Sequence, residues 1–258
     1  MQAFVPHIFV VNVNFALPED VNTNVLMLMR WIHFLAGITW IGLLYFFNLV
    51  NVPAMREFDP PTRAKVMSVQ MLRAFQWFRF SALLTVLMGF GYWGNIVASD
   101  ARNAQASGGG VFGSFFLIWT VVWAIQYALV IPGKGVLDKG AVQAVLNVIL
   151  LAAGAWCFLR FNSRGWESNR LLSIGIGGGL GWVMMLNVWG VVWRINKKLI
   201  RWARESSETG KPMPEQAARL SRQSFLIARI SFWMSFPLLF FMGAASHYPM
   251  FGGTPTLP

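Results

Sequence analysis

The chain has 258 residues, of which 56% are hydrophobic, 15% aromatic and 12% charged. Soluble domains carry about 25% charged residues, so this composition excludes a soluble enzyme, a disordered chain and a secreted disulfide scaffold. A net charge of +11 would suit nucleic-acid binding in a soluble protein. In a chain this apolar, we expect the positive charge to be concentrated in the loops on one side of a lipid bilayer. We do not expect nucleic acid as a partner.

Six apolar segments follow one another, each about 20 residues long, as a bilayer-spanning helix requires. They cover roughly residues 25–50, 74–98, 111–132, 140–161, 171–193 and 224–246. We therefore predict an all-α fold, a polytopic membrane bundle of about six transmembrane helices over residues 25–250. Residues 1–24 are expected to form an outer-face segment rather than a signal peptide, because no basic start and no small-residue cleavage site occur there. Residues 251–258 are a tail.

Basic residues are distributed unevenly between the two sides of this predicted bundle. The loops after the first, third and fifth spans contain 14 Lys and Arg residues, whereas the opposite loops and both termini contain three. Because Lys and Arg favour cytoplasmic loops, we expect a multi-pass protein of the bacterial inner membrane with both termini in the periplasm.

Residues 194–223 form the most basic of these loops, with eight Lys and Arg residues. We expect the fifth helix to continue to Glu205, a turn over residues 206–212, and a new helix starting near Pro214. The basic side chains would lie against anionic lipid head groups.

The fifth span contains the sequence GIGGGLG at residues 175–181. It lacks the preceding strand and the Lys-Ser/Thr ending of a phosphate-binding loop. Gly175 and Gly179, and likewise Gly177 and Gly181, are four residues apart, a spacing typical of close helix packing in membranes. Close packing is the prediction, and a flat surface for a planar cofactor is the alternative.

The spans contain no Asp or Glu, which argues against a carboxylate proton relay. Their isolated amide side chains are expected to form hydrogen bonds between helices: Asn48, Gln76, Gln126, Gln143, Asn147 and Asn187. The one cysteine, Cys157, excludes a disulfide and a Cys-X-X-Cys-His haem attachment site.

The three histidines all fall on the predicted outer side. His7 lies in the N-terminal segment, His33 inside the first span, and His247 at the end of the sixth. A neutral imidazole is a common ligand of haem iron and of copper. We therefore consider His33 and His247 as axial ligands of a b-type haem, or simply as residues that pack and end helices. His7 would join them only in a copper site.

The first span places Arg30, His33, Gly37 and Trp40 at i, i+3, i+7 and i+10, on one stripe of a helix. In a haem pocket, Gly37 would leave space beside His33 and Trp40 would form an aromatic wall. Arg30 would pair with an anionic group such as a haem propionate.

The sixth span repeats part of this arrangement. Gly243 lies one turn before His247 and also leaves room for a cofactor. Arg160 and Arg164, near the end of the fourth span, are further candidates to face the propionates. The cofactor-binding set predicted from sequence therefore comes from at least two helices.

Three stretches resemble one known family. Residues 30–48 (RWIHFLAGITWIGLLYFFN) resemble the first helix of the PuuD-type membrane family, known for the urate oxidase N-terminal membrane domain. Residues 73–80 (RAFQWFRF) and 246–250 (SHYPM) are similar to that family as well. The resemblance implies an integral membrane protein associated with electron transfer. Full-length members append a cytochrome c domain, which this sequence does not contain, so we do not expect it to oxidise urate on its own.

The spacing of His33 and Trp40 is also similar to that in protoporphyrinogen-oxidase-like and copper-resistance membrane families. Their first-helix histidine is associated with b haem or copper. The leading hypothesis is a haem-binding, electron-transferring membrane subunit, an oxidoreductase component whose partner is a separate cytochrome c or a quinol. The alternatives are a non-catalytic accessory subunit that anchors a larger membrane complex, and a copper-binding membrane protein.

Overall fold

The computed structural model describes residues 16–132 and 135–251, which form six long helices. The helices are α1 (Val21–Glu57), α2 (Pro60–Asn103), α3 (Gly109–Val130), α4 (Gly140–Asn162), α5 (Asn169–Thr209) and α6 (Gln216–His247). Each is long and apolar enough to cross a membrane, and the described residues contain no strand. The predicted all-α bundle of six membrane-spanning helices is confirmed.

Polar side chains fix where several of these helices begin. The Asp20 carboxylate accepts a hydrogen bond from the Thr23 amide at 2.7 Å and caps α1. Ser168 caps α5 by accepting from the Leu171 amide. The Ser168 hydroxyl also donates to Asp100 at 2.6 Å, so the start of α5 is tied to the end of α2.

Helix α5 lies at the centre of the bundle. It packs along α6 and also contacts α2, α3 and α4, while α1 packs along α2 and α3 along α4. In its apolar stretch 78% of residues are buried, against 22–44% in the other five helices. The other helices therefore leave most of their apolar surface on the outside of the bundle, as helices that cross a bilayer would.

The up-and-down order of the helices gives the bundle two distinct ends. At the terminal end, α1, α3 and α5 begin while α2, α4 and α6 finish. At the opposite end, here called the basic end, lie the loops that contain most of the Lys and Arg residues. The two candidate sites described below lie at these two ends.

The glycine-rich face of α5 is filled by aromatic side chains from neighbouring helices. Gly179 lies under the indole of Trp119 from α3, and Gly175 under the ring of Phe158 from α4. On the other face, a Cβ at Gly177 would lie 3.2 Å from the Leu238 carbonyl oxygen of α6. The prediction of close packing is confirmed. The face that could have received a planar cofactor is covered by Trp119 and Phe158.

Buried amide side chains in α3, α4, α5 and α6 form one connected network. Gln126 donates to the Asn147 amide oxygen and accepts from the Asn187 amide nitrogen, both at 2.7 Å. Asn187 also donates to the Ser231 hydroxyl at 3.2 Å, and Asn147 to Gln143. The prediction of hydrogen bonds between helices is confirmed for these amides.

Two of the isolated amides behave differently. Asn48 donates to the carbonyl of Leu44 within its own helix, and Gln76 is exposed with no hydrogen-bond partner among the described residues. The prediction for these two was wrong because apolar periodicity does not reveal which face of a helix meets a neighbour. The predicted turn over residues 206–212 also begins later, since α5 continues to Thr209 and ends on Gly210, whose φ of +72° suits glycine.

Three helices contain a π-helical segment, in which the backbone turn is widened by one residue. These segments are Phe46–Asn51 in α1, Met67–Met71 in α2 and Val188–Val192 in α5. All three lie in the half of the bundle nearer the basic end. Such segments are frequent at functional sites.

Candidate functional site

At the terminal end, two arginines from different helices lie against one tyrosine ring. The guanidinium carbon of Arg30 in α1 is 5.5 Å from the centre of the Tyr92 ring, and that of Arg170 in α5 is 5.1 Å from it. Neither guanidinium has a carboxylate within 4 Å among the described residues. The Arg170 Nε is buried without a hydrogen-bond partner there. Two unneutralised cations so close together favour an anion between or beside them.

One turn further into the bundle, His33 is held by the backbone of α2. Its Nδ1 lies 2.8 Å from the Thr85 carbonyl oxygen. Because a carbonyl oxygen can only accept, Nδ1 carries the hydrogen, and Nε2 of the neutral ring keeps its lone pair. This arrangement is typical of metal-ligating histidines, whose second nitrogen is oriented by a backbone carbonyl or carboxylate.

The close approach of His33 to α2 depends on Gly89. A Cβ at position 89 would lie 2.9 Å from the His33 Cε1 and 3.0 Å from its Nδ1. Any larger residue would therefore push the imidazole away from the Thr85 carbonyl. Gly89 and Tyr92 are three residues apart on α2, so His33 and Arg30 of α1 face one stripe of that helix.

The rest of the predicted stripe on α1 packs against protein. A Cβ at Gly37 would lie 3.7 Å from the Thr85 methyl group, an ordinary contact distance. Trp40 is only 2% exposed and belongs to the hydrophobic core, and its indole N–H has no partner among the described residues. The structure thus places Trp40 in the core rather than along the wall of an open pocket.

His247 lies at the same end of the bundle as Arg30 and Arg170. It is the last residue of α6, and its side chain is exposed. Asn169, next to Arg170, donates to the Ala245 carbonyl at 3.2 Å and fixes the end of α6 against α5. A Cβ at Gly243 would meet nothing within 4 Å.

The remaining predicted residues contribute less. Arg160 and Arg164 are exposed, and Arg164 lies beside Gly110 of α3. His7 lies outside the described residues. Within the described residues, no cluster of three or more His, Cys, Asp or Glu side chains could hold a metal ion.

Sequence reasoning missed Thr85, Gly89, Tyr92 and Arg170. Arg170 lies just before the predicted fifth span, residues 171–193, and nothing in the local sequence of α2 indicates that Tyr92 faces it. The run GFGYWG at residues 89–94 was the available signal, since small residues and an aromatic residue alternate there within an apolar span.

Comparisons of the chain with protein-family models, with characterised proteins and with solved structures found no match. The resemblance to the PuuD-type family therefore stays a prediction.

A second candidate site, not predicted from the sequence, is a cavity of about 1050 Å³ at the basic end. Ligand pockets usually measure about 300–1,000 Å³, so the volume suffices for a sizeable molecule. Its walls come from α1, α2, α5 and α6. All three π-helical segments described above contribute to the lining, through residues such as Asn48, Met67 and Val192.

Proposed function

We propose that the protein is a multi-pass membrane subunit that binds a b-type haem at the terminal end of the bundle and takes part in electron transfer there. The observation that carries this proposal is the hydrogen bond from His33 to Thr85, which leaves Nε2 as a free ligand atom. The basic end would face the cytoplasm of a bacterium, by the distribution of Lys and Arg.

The side chains near His33 suit the chemistry of a haem. His33 would supply a nitrogen ligand to the iron, and the paired cations Arg30 and Arg170 would neutralise the propionates. His247, at the same end, is the candidate for a second ligand of the iron. When bound, the haem would supply one-electron redox chemistry at its iron.

The protein's own residues would position and orient His33. Gly89 lets the imidazole approach α2, and the Thr85 carbonyl fixes the tautomer that leaves Nε2 unprotonated. A separate cytochrome c or a membrane quinol would exchange electrons at this end.

The test is a dithionite-reduced minus oxidised spectrum of the purified protein, with a pyridine haemochrome assay and metal analysis for iron and copper. We expect about one b-type haem per chain. His33→Ala should abolish it, and Gly89→Ala should lower it by displacing the imidazole. His247→Ala should change the spectrum if it is the second ligand.

Arg102→Gln is the matched control for Arg30→Gln and Arg170→Gln, because Arg102 is exposed at the same end. It should leave the haem content unchanged, while either of the other two lowers it. A monodisperse protein without iron would contradict the proposal and favour a non-catalytic accessory subunit. Copper without iron, lost in His7→Ala, would favour the copper-binding alternative.

A further inference from the structure

We propose that the cavity at the basic end binds an anionic amphiphile, a long hydrocarbon chain with a phosphate or carboxylate head group. The inference is independent of the haem proposal, because the cavity lies at the opposite end of the bundle. It is based on the depth of the cavity, on the character of its walls, and on the charges at its mouth.

The cavity extends along one face of α6 that consists of small residues. The residues on this small-residue face all line the cavity and recur every three or four positions: Ala217, Ser221, Ser224, Ala228 and Ser231. From Ala217 to Ser231 the helix rises about 21 Å. A cavity of that depth can accommodate an extended hydrocarbon chain parallel to the helices.

The inner walls of the cavity are mainly apolar. The larger apolar side chains that line this part are Leu44, Phe47, Phe75, Phe78, Val188 and Val192. A soluble polar metabolite would find few partners along these walls, whereas a hydrocarbon chain gains from burial against them. The cavity therefore favours a ligand that is apolar over most of its length.

One polar side chain on the cavity wall has an acceptor that no described residue uses. Asn48 is 4% exposed and lines the cavity. Its amide nitrogen donates to the Leu44 carbonyl at 2.9 Å, but its amide oxygen accepts no hydrogen bond from any described residue. This oxygen can therefore accept a hydrogen bond from a water molecule or from a ligand hydroxyl in the cavity.

The mouth of the cavity is cationic. Arg56 of α1, Arg63 of α2 and Arg222 of α6 line it, and none of the described lining residues is Asp or Glu. Arg222 is partly neutralised by Asp138, 3.7 Å away. Arg56 and Arg63 have no carboxylate within 4 Å among the described residues, although Arg63 donates one hydrogen bond to the Phe58 carbonyl at 3.0 Å. Arg is suited to phosphate and carboxylate groups.

The experiment measures binding to the delipidated full-length chain in detergent by native mass spectrometry. The probes are phosphatidylglycerol and phosphatidylcholine with identical acyl chains, palmitate, and inorganic phosphate. We expect one phosphatidylglycerol or palmitate per chain, bound at least about tenfold more tightly than phosphatidylcholine. Binding of only one of the two would identify the head group as phosphate or carboxylate.

Two variants locate the ligand. The double variant Arg56→Gln/Arg63→Gln should lose the preference for the anionic probes, and Ala228→Phe should block the chain and reduce binding of every lipid. The matched controls are Lys197→Gln/Arg201→Gln, exposed on α5 and outside the cavity, and Ala152→Phe, exposed on α4. Both controls should bind as the wild type does.

The proposal is overturned if phosphatidylcholine binds as tightly as phosphatidylglycerol and palmitate do. It is equally overturned if inorganic phosphate displaces the lipids at comparable concentration, or if the variants and their controls bind alike. A monodisperse elution profile for each variant separates loss of binding from loss of folding.

Discussion

Two helix faces built from small residues have opposite outcomes in this bundle. On α5, the glycines at 175 and 179 are covered by Phe158 and Trp119, and no space remains. On α6, the small-residue face borders a cavity of about 1050 Å³. The sequence spacing is similar in both cases.

The difference lies in what the neighbouring helices bring to each face. Helices α3 and α4 bring large aromatic rings to α5, and the indole of Trp119 fits between Gly179 of α5 and Gly154 of α4. Around α6, the π-helical segments of α1 and α5 line the cavity, and no ring from the described residues fills the space beside the small residues. A stripe of small residues therefore allows a close approach, and the neighbouring helices decide whether the space is filled.

The largest expected effect is at the filled face. In Gly179→Ala, the new methyl group would overlap the Trp119 ring, which cannot move away because it is fully buried against Gly154. We expect a loss of about 3 kcal/mol or more of unfolding free energy, measured by thermal or denaturant unfolding in detergent.

Gly42→Ala is the control for that substitution, because Gly42 is also inside a helix and a Cβ there would meet nothing within 4 Å. It should be neutral or slightly stabilising, since Ala favours the helix. Equal losses for the two variants would show that the α5 face is not closely packed.

The second largest loss of stability is expected in the buried amide network, which extends from α3 and α4 to Ser231 on the cavity wall. Gln126→Leu removes a hydrogen bond to Asn147 and one from Asn187, and leaves both partners buried. We expect a loss of about 1–2 kcal/mol of unfolding free energy. Gln76→Leu, on an exposed residue without a partner among the described ones, should change it little, and a similar loss there would contradict this account.

The fold could be predicted from composition and hydropathy because the bilayer fixes both the length and the polarity of a spanning helix. The glycine packing could be predicted from spacing alone, although the identity of Trp119 as the covering side chain could not. His33 was found because histidine is rare within an apolar span. Arg170 was missed because its contact with Tyr92 joins helices far apart in sequence, and no local pattern encodes that pairing.

The cavity could not be predicted from the sequence. Whether small residues such as Ser224 and Ala228 pack closely or border a space depends on what helices remote in the chain place opposite them. The π-helical segments carry no clear sequence signal, so their position became evident only in the folded chain.

A substitution on the small-residue face of α6, which borders the cavity, should change the stability less than Gly179→Ala on the filled face of α5. Ala228→Leu adds a side chain at a position that lines the cavity, so no existing contact has to be broken. In lipid-depleted protein we expect the unfolding free energy to stay within about 0.5 kcal/mol of wild type. A loss as large as that of Gly179→Ala would mean that the cavity collapses in solution, and would remove the contrast between the two faces.

The smallest expected change in stability is confined to acidic pH. It concerns the first turn of α2, which forms part of the cavity wall and is capped by Asp59. Hydrogen bonds from Thr62, chiefly from its side chain, lower the pKa of Asp59 below its ordinary value of 3.8. The folded chain thus binds this proton more weakly than the unfolded chain does, so the carboxylate adds stability at neutral pH. That contribution is lost as pH falls below the ordinary value and through the folded pKa.

The difference in melting temperature between wild type and Asp59→Asn should therefore be constant above about pH 5 and change progressively below about pH 4. Thr62→Val keeps the carboxylate but removes the hydroxyl, so it should weaken the same pH-dependent component of stability. If the melting-temperature difference between wild type and Asp59→Asn stays constant down to about pH 3, the Asp59 cap does not stabilise the first turn of α2.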